Sequence, residues 1–207
     1  MSIYGLILGI AIALGVSYFQ KHNQVIPKKH ITFFVLFLLI FSIFGARIYH
    51  VLDYWSFYSQ NIGQILNTRG GGMAIYGGLI GGFIFIFIYS LKQKIKMISI
   101  TEQITPILPL SQAIGRLGNF INNENPLWWP EAILNILLFF IIKSNQKKYS
   151  TTGIYLIGYG LIRLITELFR TDTWTIGGLK IALLISLLSI FIGKIILIQQ
   201  QYNPTKF

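Results

Sequence analysis

The residues best suited to chemistry stand together in one stretch, GRLGNFINNE, at residues 115–124. Arg116 and Asn119 are three residues apart, so a helix places them on one face, and the glycines beside them allow a ligand to approach closely. A guanidinium is planar and binds phosphate or carboxylate through two parallel hydrogen bonds. This pattern therefore indicates a site for an anion. Its polar members are Arg116, Asn119, Asn122, Asn123 and Glu124.

A second group of candidate residues lies in LIGYGLIRLITELFRTD, at residues 156–172. Arg163 and Glu167 are four residues apart, and Tyr159 lies one turn earlier on the same predicted helix face. Two interpretations of this pair stay open. It can serve catalysis, or it can be a structural ion pair that holds a helix bundle together.

Both groups belong to a chain with the composition of a membrane protein, in which 54% of the 207 residues are hydrophobic and 11% are charged. Seven apolar segments can each cross a hydrocarbon core of roughly 30 Å, which predicts an all-α integral membrane protein. No connection is long enough for a separate soluble domain, so residues 1–207 are predicted to form a single membrane domain. The predicted spans are 3–19, 31–52, 73–91, 100–121, 126–142, 153–169 and 176–198.

The lysines predict the orientation of these spans. The net charge of +11 could suggest a nucleic-acid partner, but the lysines are concentrated in alternate connections, as the positive-inside rule describes. The rule places the amino terminus outside and the carboxyl terminus in the cytoplasm. The sequence has no cysteine, which excludes a thiolate nucleophile and a Cys-based metal site. The cytoplasmic lysines are Lys21, Lys28, Lys29, Lys92, Lys94, Lys96, Lys143, Lys147, Lys148, Lys194 and Lys206.

The arginines are distributed differently, because all five fall in the predicted outward half of the protein. An arginine at the centre of a membrane helix costs about 2.5–3.5 kcal/mol on insertion scales. Snorkelling towards water or headgroups is the simple explanation for one such residue. Several at one depth, accompanied by Glu131 and Glu167, favour an outward-facing pocket for an anionic lipid. We expect Arg47, Arg116 and Arg163 to converge on one phospholipid headgroup.

Glycines are concentrated in GGGMAIYGGLIGG, at residues 70–82. The pairs Gly77 with Gly81 and Gly78 with Gly82 have the spacing of small residues at closely packed helices. The run at 70–72 instead lies where a loop would meet the outer surface, and its backbone N–H groups could bind an anion.

As a set, these stretches resemble the bacterial prolipoprotein diacylglyceryl transferases. GRLGNFINNE resembles the family signature, which is close to GR-[apolar]-GNFINGE. IYGLILG at 3–9 resembles the family's opening WYGL segment, and GARIYHVLDY at 45–54 resembles its GGRxGYVLFY segment. GGGMAIYGGLIGG resembles DGGMSFHGGLxG, and the stretch at 156–172 resembles YGxxRFxxEFFRxPD. Seven spans with the amino terminus outside is also the topology of that family.

The resemblance implies a transferase that moves the diacylglyceryl group of phosphatidylglycerol onto the lipobox cysteine thiol of a preprolipoprotein and releases glycerol phosphate. It implies the bacterial cytoplasmic (inner) membrane as the location, with no metal or bound cofactor. Arginines that bind the phosphate can bind the charge developing on it more strongly in the transition state. By matching position, the implied catalytic residues are Arg116, Arg163, Tyr76, Glu124 and Glu167. The implied substrate-binding residues are Tyr4, Arg47, Gly72, Gly77, Gly78, Asn119, Asn122 and Tyr159.

The sequence departs from the family pattern in ways that affect function. Tyr76 replaces the histidine proposed to help deprotonate the thiol, and a tyrosine hydroxyl is a poor base near neutrality. Tyr76, His50 and Glu124 are therefore alternative candidates for the base. The signature ends in NENPLW, and the periplasmic region, at about 121–131, is short. A catalytically silent phospholipid-binding relative and a small anion transporter are the alternative functions.

Overall fold

The computed structural model describes residues 3–67, 71–121, 128–170, 175–176 and 179–202, apart from the side chains of Tyr4, Ile75 and Ile176. These residues are almost all helical. The only strands among them form one antiparallel pair of two residues each. The elements are α1 (Ile3–His22), α2 (Lys28–Asp53), α3 (Trp55–Tyr58), α4 (Ile75–Gln93), α5 (Met97–Ile104), α6 (Leu108–Ile121), α7 (Trp128–Asn145), α8 (Thr151–Leu168), β1 (Thr175–Ile176), β2 (Leu179–Lys180) and α9 (Ile181–Tyr202).

Long apolar helices confirm the prediction of an all-α membrane protein. Within the described ranges, four helices are long and apolar enough to cross a membrane. Each of the seven predicted segments contains helix, but the number of spans and the orientation of the termini stay predictions. The four helices that meet both criteria lie at Gly5–His22, Lys28–Asp53, Tyr76–Gln93 and Ile181–Tyr202.

The chain divides into two compact units. The first unit comprises Met1–Asn23 and Thr101–Phe207, and the second unit comprises Gln24–Ile100. The prediction of a single seven-helix domain with a shortened outer region stays a prediction.

The predicted span at 100–121 is not one continuous helix. It consists of α5, a 3₁₀ turn at Thr105–Ile107, and α6. Pro106 and Pro109 explain the interruption, because proline has no N–H to donate and restricts the residue before it. Helix α6 therefore has only 14 residues, about 21 Å of length, and it carries Arg116 in its second half.

In the first unit, the start of α8 is fixed by a carboxylate. The backbone N–H groups of Thr151 and Thr152 donate to the Glu102 carboxylate at 2.7 and 3.2 Å. The Ser150 hydroxyl donates to the same carboxylate and accepts from the backbone N–H of Gly153. These bonds satisfy N–H groups that a helix start leaves free, and the negative charge suits the positive end of the helix dipole. They set the position of α8, which carries Arg163.

In the second unit, α2 and α4 pack with their backbones in contact. A Cβ atom at Gly77 would overlap the carbonyl oxygen of Gly45, and one at Gly81 would overlap that of Phe41. The backbone N–H of Ala74 donates to the carbonyl oxygen of Ala46 at 3.1 Å. The small-residue spacing therefore serves close helix packing, as predicted for Gly81.

This packing predicts opposite results for two adjacent glycines. We expect Gly77→Ala to lower the free energy of unfolding by about 1–3 kcal/mol, because the added methyl group forces α2 and α4 apart. Gly78→Ala is the matched control, since a Cβ there lies 3.5 Å from the nearest atom, the Ser42 carbonyl oxygen. Thermal unfolding of both variants in detergent measures the difference. Equal melting temperatures would contradict the observed packing.

Candidate active site

The two arginines of the motifs at 115–124 and 156–172 meet on one carboxylate in the first unit. Arg116 on α6 places its Nε atom 2.6 Å from Oε2 of Glu131, which lies in the first turn of α7. Arg163 on α8 donates from Nη1 to Oε1 of Glu131 at 3.1 Å. The side chain of Glu131 is 1% exposed. One buried carboxylate therefore joins three helices.

Other polar groups hold Glu131 in place. The Thr166 hydroxyl donates to Oε1 of Glu131 at 3.0 Å, and the side-chain amide of Asn135 donates to the Glu131 backbone carbonyl at 2.8 Å. Removing one partner from a buried ion pair leaves an uncompensated charge, which costs roughly 3–5 kcal/mol. The Glu131 carboxylate therefore compensates the charge of both arginines, and loss of either arginine would lower the stability of the protein.

Arg116 is held less strictly than Arg163. Oε2 of Glu131 has no aligned hydrogen-bond donor among the described residues, so its contact with Arg116 is a close ion pair without a directed N–H···O bond. The two terminal nitrogens of Arg116 have no partner in the described part of the chain, and 18% of the side chain is exposed. The planar edge that binds an oxyanion is therefore available on Arg116.

Arg163 is engaged on two sides. Besides Glu131, it donates from Nη2 to Oε2 of Glu167 at 2.8 Å, which confirms the contact predicted from their spacing. Glu167 is fully buried, and its Oε1 atom has no hydrogen-bond partner among the described residues. The Lys180 ammonium donates to the backbone carbonyls of Glu167 and Arg170 at 2.7 and 2.5 Å. Arg163 thus links α7 to α8 through Glu131, whereas its pair with Glu167 lies within α8. Both interpretations of the Arg163–Glu167 pair stay open.

Arg47 belongs to the second unit and uses all its donors there. Its guanidinium donates to five backbone carbonyls, at distances of 2.6–3.1 Å. The side chain is buried, and its Cζ atom lies 5.2 Å from the centre of the Tyr58 ring. It therefore organises the backbone at 64–67 and 71–72 and has no N–H left for a phosphate. The acceptors belong to Gln64, Ile65, Asn67, Gly71 and Gly72.

Several other predicted residues can be placed individually. Asn119 lies on α6 after Arg116, and the Tyr159 ring stacks on that of Tyr155 with centroids 5.7 Å apart. Gly77 is buried in the contact with α2, whereas a Cβ atom at Gly78 would make only ordinary van der Waals contacts, the nearest at 3.5 Å. Their predicted contacts with substrate stay predictions, as does convergence of the three arginines.

The structure describes only some of the remaining predicted residues. Tyr76 lies in the first turn of α4 with 36% of its surface exposed. Asn122 and Glu124 lie outside the described residues, as does the side chain of Tyr4. Among the described residues, no group of three His, Cys, Asp or Glu side chains could hold a metal ion.

Glu131 is the residue that sequence reasoning underrated. It is fifteen residues beyond Arg116 and thirty-two before Arg163, so no helical spacing connects them. The available signal was a lone carboxylate at the start of an apolar segment, at the predicted depth of the arginines. A buried carboxylate in a membrane helix needs a cationic partner, and these two arginines supply it.

These features define an all-helical membrane protein that holds a cluster of arginines and carboxylates between the helices of its first unit. The chain belongs to the prolipoprotein diacylglyceryl transferase family, because the sequence model of that family matches residues 1–130 and 126–199.

Three relatives show how far the similarity extends, and each is named a phosphatidylglycerol–prolipoprotein diacylglyceryl transferase. The protein of Finegoldia magna is 33% identical over 226 residues, covering 98% of this chain and 90% of the relative. That of Clostridium novyi is 33% identical, with 95% and 90% covered. That of Clostridioides difficile is 35% identical, with 93% and 85% covered.

Proposed function

We propose that this protein transfers the diacylglyceryl group of phosphatidylglycerol to prolipoproteins. The observation that carries the proposal is the Arg116–Glu131–Arg163 cluster, found in a chain that belongs to this family over nearly its whole length. The acceptor is the lipobox cysteine thiol of the prolipoprotein, and glycerol phosphate is released.

The reaction exchanges one bond at a glyceryl carbon. The thiol loses its proton, the sulfur forms a bond to the glyceryl carbon, and the bond from that carbon to the phosphate oxygen breaks. The electron pair of the broken bond stays on the departing glycerol phosphate. Positive charge placed on that phosphate lowers the barrier, because the negative charge increases as the bond breaks.

Arg116 is the residue best suited to place positive charge on the departing phosphate. Its terminal nitrogens are available among the described residues, whereas those of Arg163 already bind Glu131 and Glu167. The carboxylate of Glu131 holds Arg116 by charge without fixing its direction, so the guanidinium can turn towards a phosphate. Arg163 contributes positive charge to the same site. Asn119, one turn after Arg116, can donate to the headgroup.

The location follows from the same proposal. The protein lies in the bacterial cytoplasmic membrane with seven spans, the amino terminus outside and the lysine-bearing connections in the cytoplasm. This orientation places Arg116 and Arg163 in the outward half, where secreted prolipoproteins would reach them.

A reconstituted assay tests the activity. The purified protein is placed in vesicles of phosphatidylglycerol and supplied with a synthetic peptide that contains a lipobox cysteine. We expect the peptide to gain the mass of one diacylglyceryl group, measured by mass spectrometry, and free glycerol phosphate to accumulate in equal amount. Vesicles of phosphatidylcholine and a peptide with serine in place of cysteine are the matched controls.

The Finegoldia magna relative, assayed in parallel, shows that the conditions support transfer. If that relative modifies the peptide while this folded protein does not, the proposed activity is wrong. Binding of phosphatidylglycerol without transfer would then identify a catalytically silent relative.

A further inference from the structure

Lys180 carries a positive charge that no carboxylate neutralises in the described part of the chain. Its half-buried ammonium donates to the backbone carbonyls of Glu167 and Arg170 at 2.7 and 2.5 Å. These carbonyls lie at the carboxyl end of α8, and the described residues give Lys180 no ion pair. A cation that is partly removed from water in a membrane protein is costly and is usually retained for a function.

Hydrogen bonding alone does not require a lysine at this position. The last carbonyls of a helix are commonly satisfied by backbone N–H groups of the next turn or by water, and these donors are neutral. The helix dipole also favours a cation at this end. That explanation predicts an effect of Lys180 on stability only, so an effect on phosphate binding would distinguish the two.

The cluster that Lys180 adjoins has no net charge of its own. Arg116 and Arg163 carry two positive charges, and Glu131 and Glu167 carry two negative charges. The phosphate of phosphatidylglycerol brings one further negative charge, and the glycerol phosphate that departs carries up to two. A further cation close to the cluster is therefore needed to offset the charge of the phosphate.

Lys180 is connected to the cluster through a single residue. Its ammonium binds the backbone of Glu167, and the side chain of Glu167 binds Nη2 of Arg163 at 2.8 Å. All three residues belong to the first unit. A unit charge about 10 Å from a phosphate changes the affinity for it roughly tenfold at an effective dielectric constant of about 20.

We propose that Lys180 belongs to the phosphate site and supplies the net positive charge that the arginines and glutamates together lack. This inference rests on the proposed function. Lys180 acts on the phosphate through its charge, whereas Arg116 supplies directed hydrogen bonds. The negative charge on the phosphate increases as the carbon–oxygen bond breaks, so Lys180 favours the transition state and the departing glycerol phosphate more than the bound lipid.

The test compares Lys180→Gln and Lys180→Arg with the wild-type protein in vesicles where phosphatidylglycerol is diluted in phosphatidylcholine. Glutamine can still donate to a carbonyl but carries no charge, so kcat/KM for phosphatidylglycerol should fall roughly tenfold. The concentration of added glycerol phosphate that halves the rate should rise by a larger factor, because glycerol phosphate carries more negative charge than the lipid. Lys180→Arg should recover most of both losses.

A role of Lys180 in stability alone predicts a different result. A lower melting temperature of Lys180→Gln, with inhibition by glycerol phosphate unchanged, would overturn this inference. Wild-type values of Lys180→Gln in both kinetic measurements would overturn it as well, and both results leave the proposed function intact. An inactive wild-type protein would instead contradict the proposed function, on which the inference depends.

A second pair of variants keeps Lys180 and its hydrogen bonds, and it serves if Lys180→Gln does not fold. Leu179 precedes Lys180 in β2 and is 63% exposed. Leu179→Glu adds a negative charge close to the ammonium, so a severalfold higher concentration of glycerol phosphate should be needed to halve the rate. Leu179→Gln is the matched control and should be inhibited like the wild-type protein. Equal inhibition of the two Leu179 variants would overturn the inference.

Discussion

Replacing Arg116 with lysine should reduce the rate of diacylglyceryl transfer by roughly 100- to 1,000-fold, the range measured when one donor to a developing oxyanion is lost. Lysine keeps the positive charge but loses the planar pair of N–H groups that the unengaged edge of Arg116 offers. The vesicle assay with the lipobox peptide measures the effect. The fall should appear in the rate at saturating phosphatidylglycerol, because the lost bonds strengthen as the phosphate departs.

The matched control for this prediction is Lys147→Arg, an exchange of the same two residue types at an exposed position outside the cluster. It should transfer at the wild-type rate. If Arg116→Lys were as active as this control, bidentate binding of the phosphate by Arg116 would be excluded.

Replacing Glu131 with glutamine should affect both stability and activity. The amide removes the negative charge that two arginines share in a site where Glu131 is 1% exposed. We expect a loss of roughly 3–5 kcal/mol in the free energy of unfolding, as for other broken buried ion pairs. In the fraction that stays folded, transfer should fall at least tenfold, because Arg116 and Arg163 lose their common anchor. Thermal unfolding in detergent and the vesicle assay measure the two effects.

Glu131→Asp tests the effect of charge apart from the effect of side-chain length, because aspartate keeps the negative charge on a shorter side chain. The free energy of unfolding of Glu131→Asp should therefore be higher than that of Glu131→Gln. Equal melting temperatures for wild type and Glu131→Gln would show that Glu131 is not the buried anion that pairs with the two arginines.

Features with a local cause could be predicted from the sequence. Apolar segments of membrane length predicted the helices. The spacing of Arg163 and Glu167 predicted their ion pair, in which Nη2 of Arg163 lies 2.8 Å from Oε2 of Glu167. The small-residue spacing that includes Gly81 correctly indicated close helix packing. In each case the relation between residues is set by the geometry of a single helix, so the sequence contains it directly.

Features that depend on tertiary packing could not be predicted in this way. Glu131 meets Arg116 and Arg163 only because α6, α7 and α8 pack together. Arg47 has backbone carbonyls as its partners. Every residue type supplies a backbone carbonyl, so the partners of Arg47 cannot be recognised from the residue types in the sequence. Pro106 indicates a helix break in the segment at 100–121. The prediction of one continuous span there used only the apolar character of the segment and therefore missed this break.

The most direct measurement is an experimental structure of the protein with phosphatidylglycerol bound, in which the lipid phosphate can be located. We predict a phosphate oxygen at about 2.7–2.9 Å from a terminal nitrogen of Arg116, with Glu131 still bound to Arg163. A phosphate bound elsewhere, with the terminal nitrogens of Arg116 still unengaged, would contradict the proposed role of Arg116.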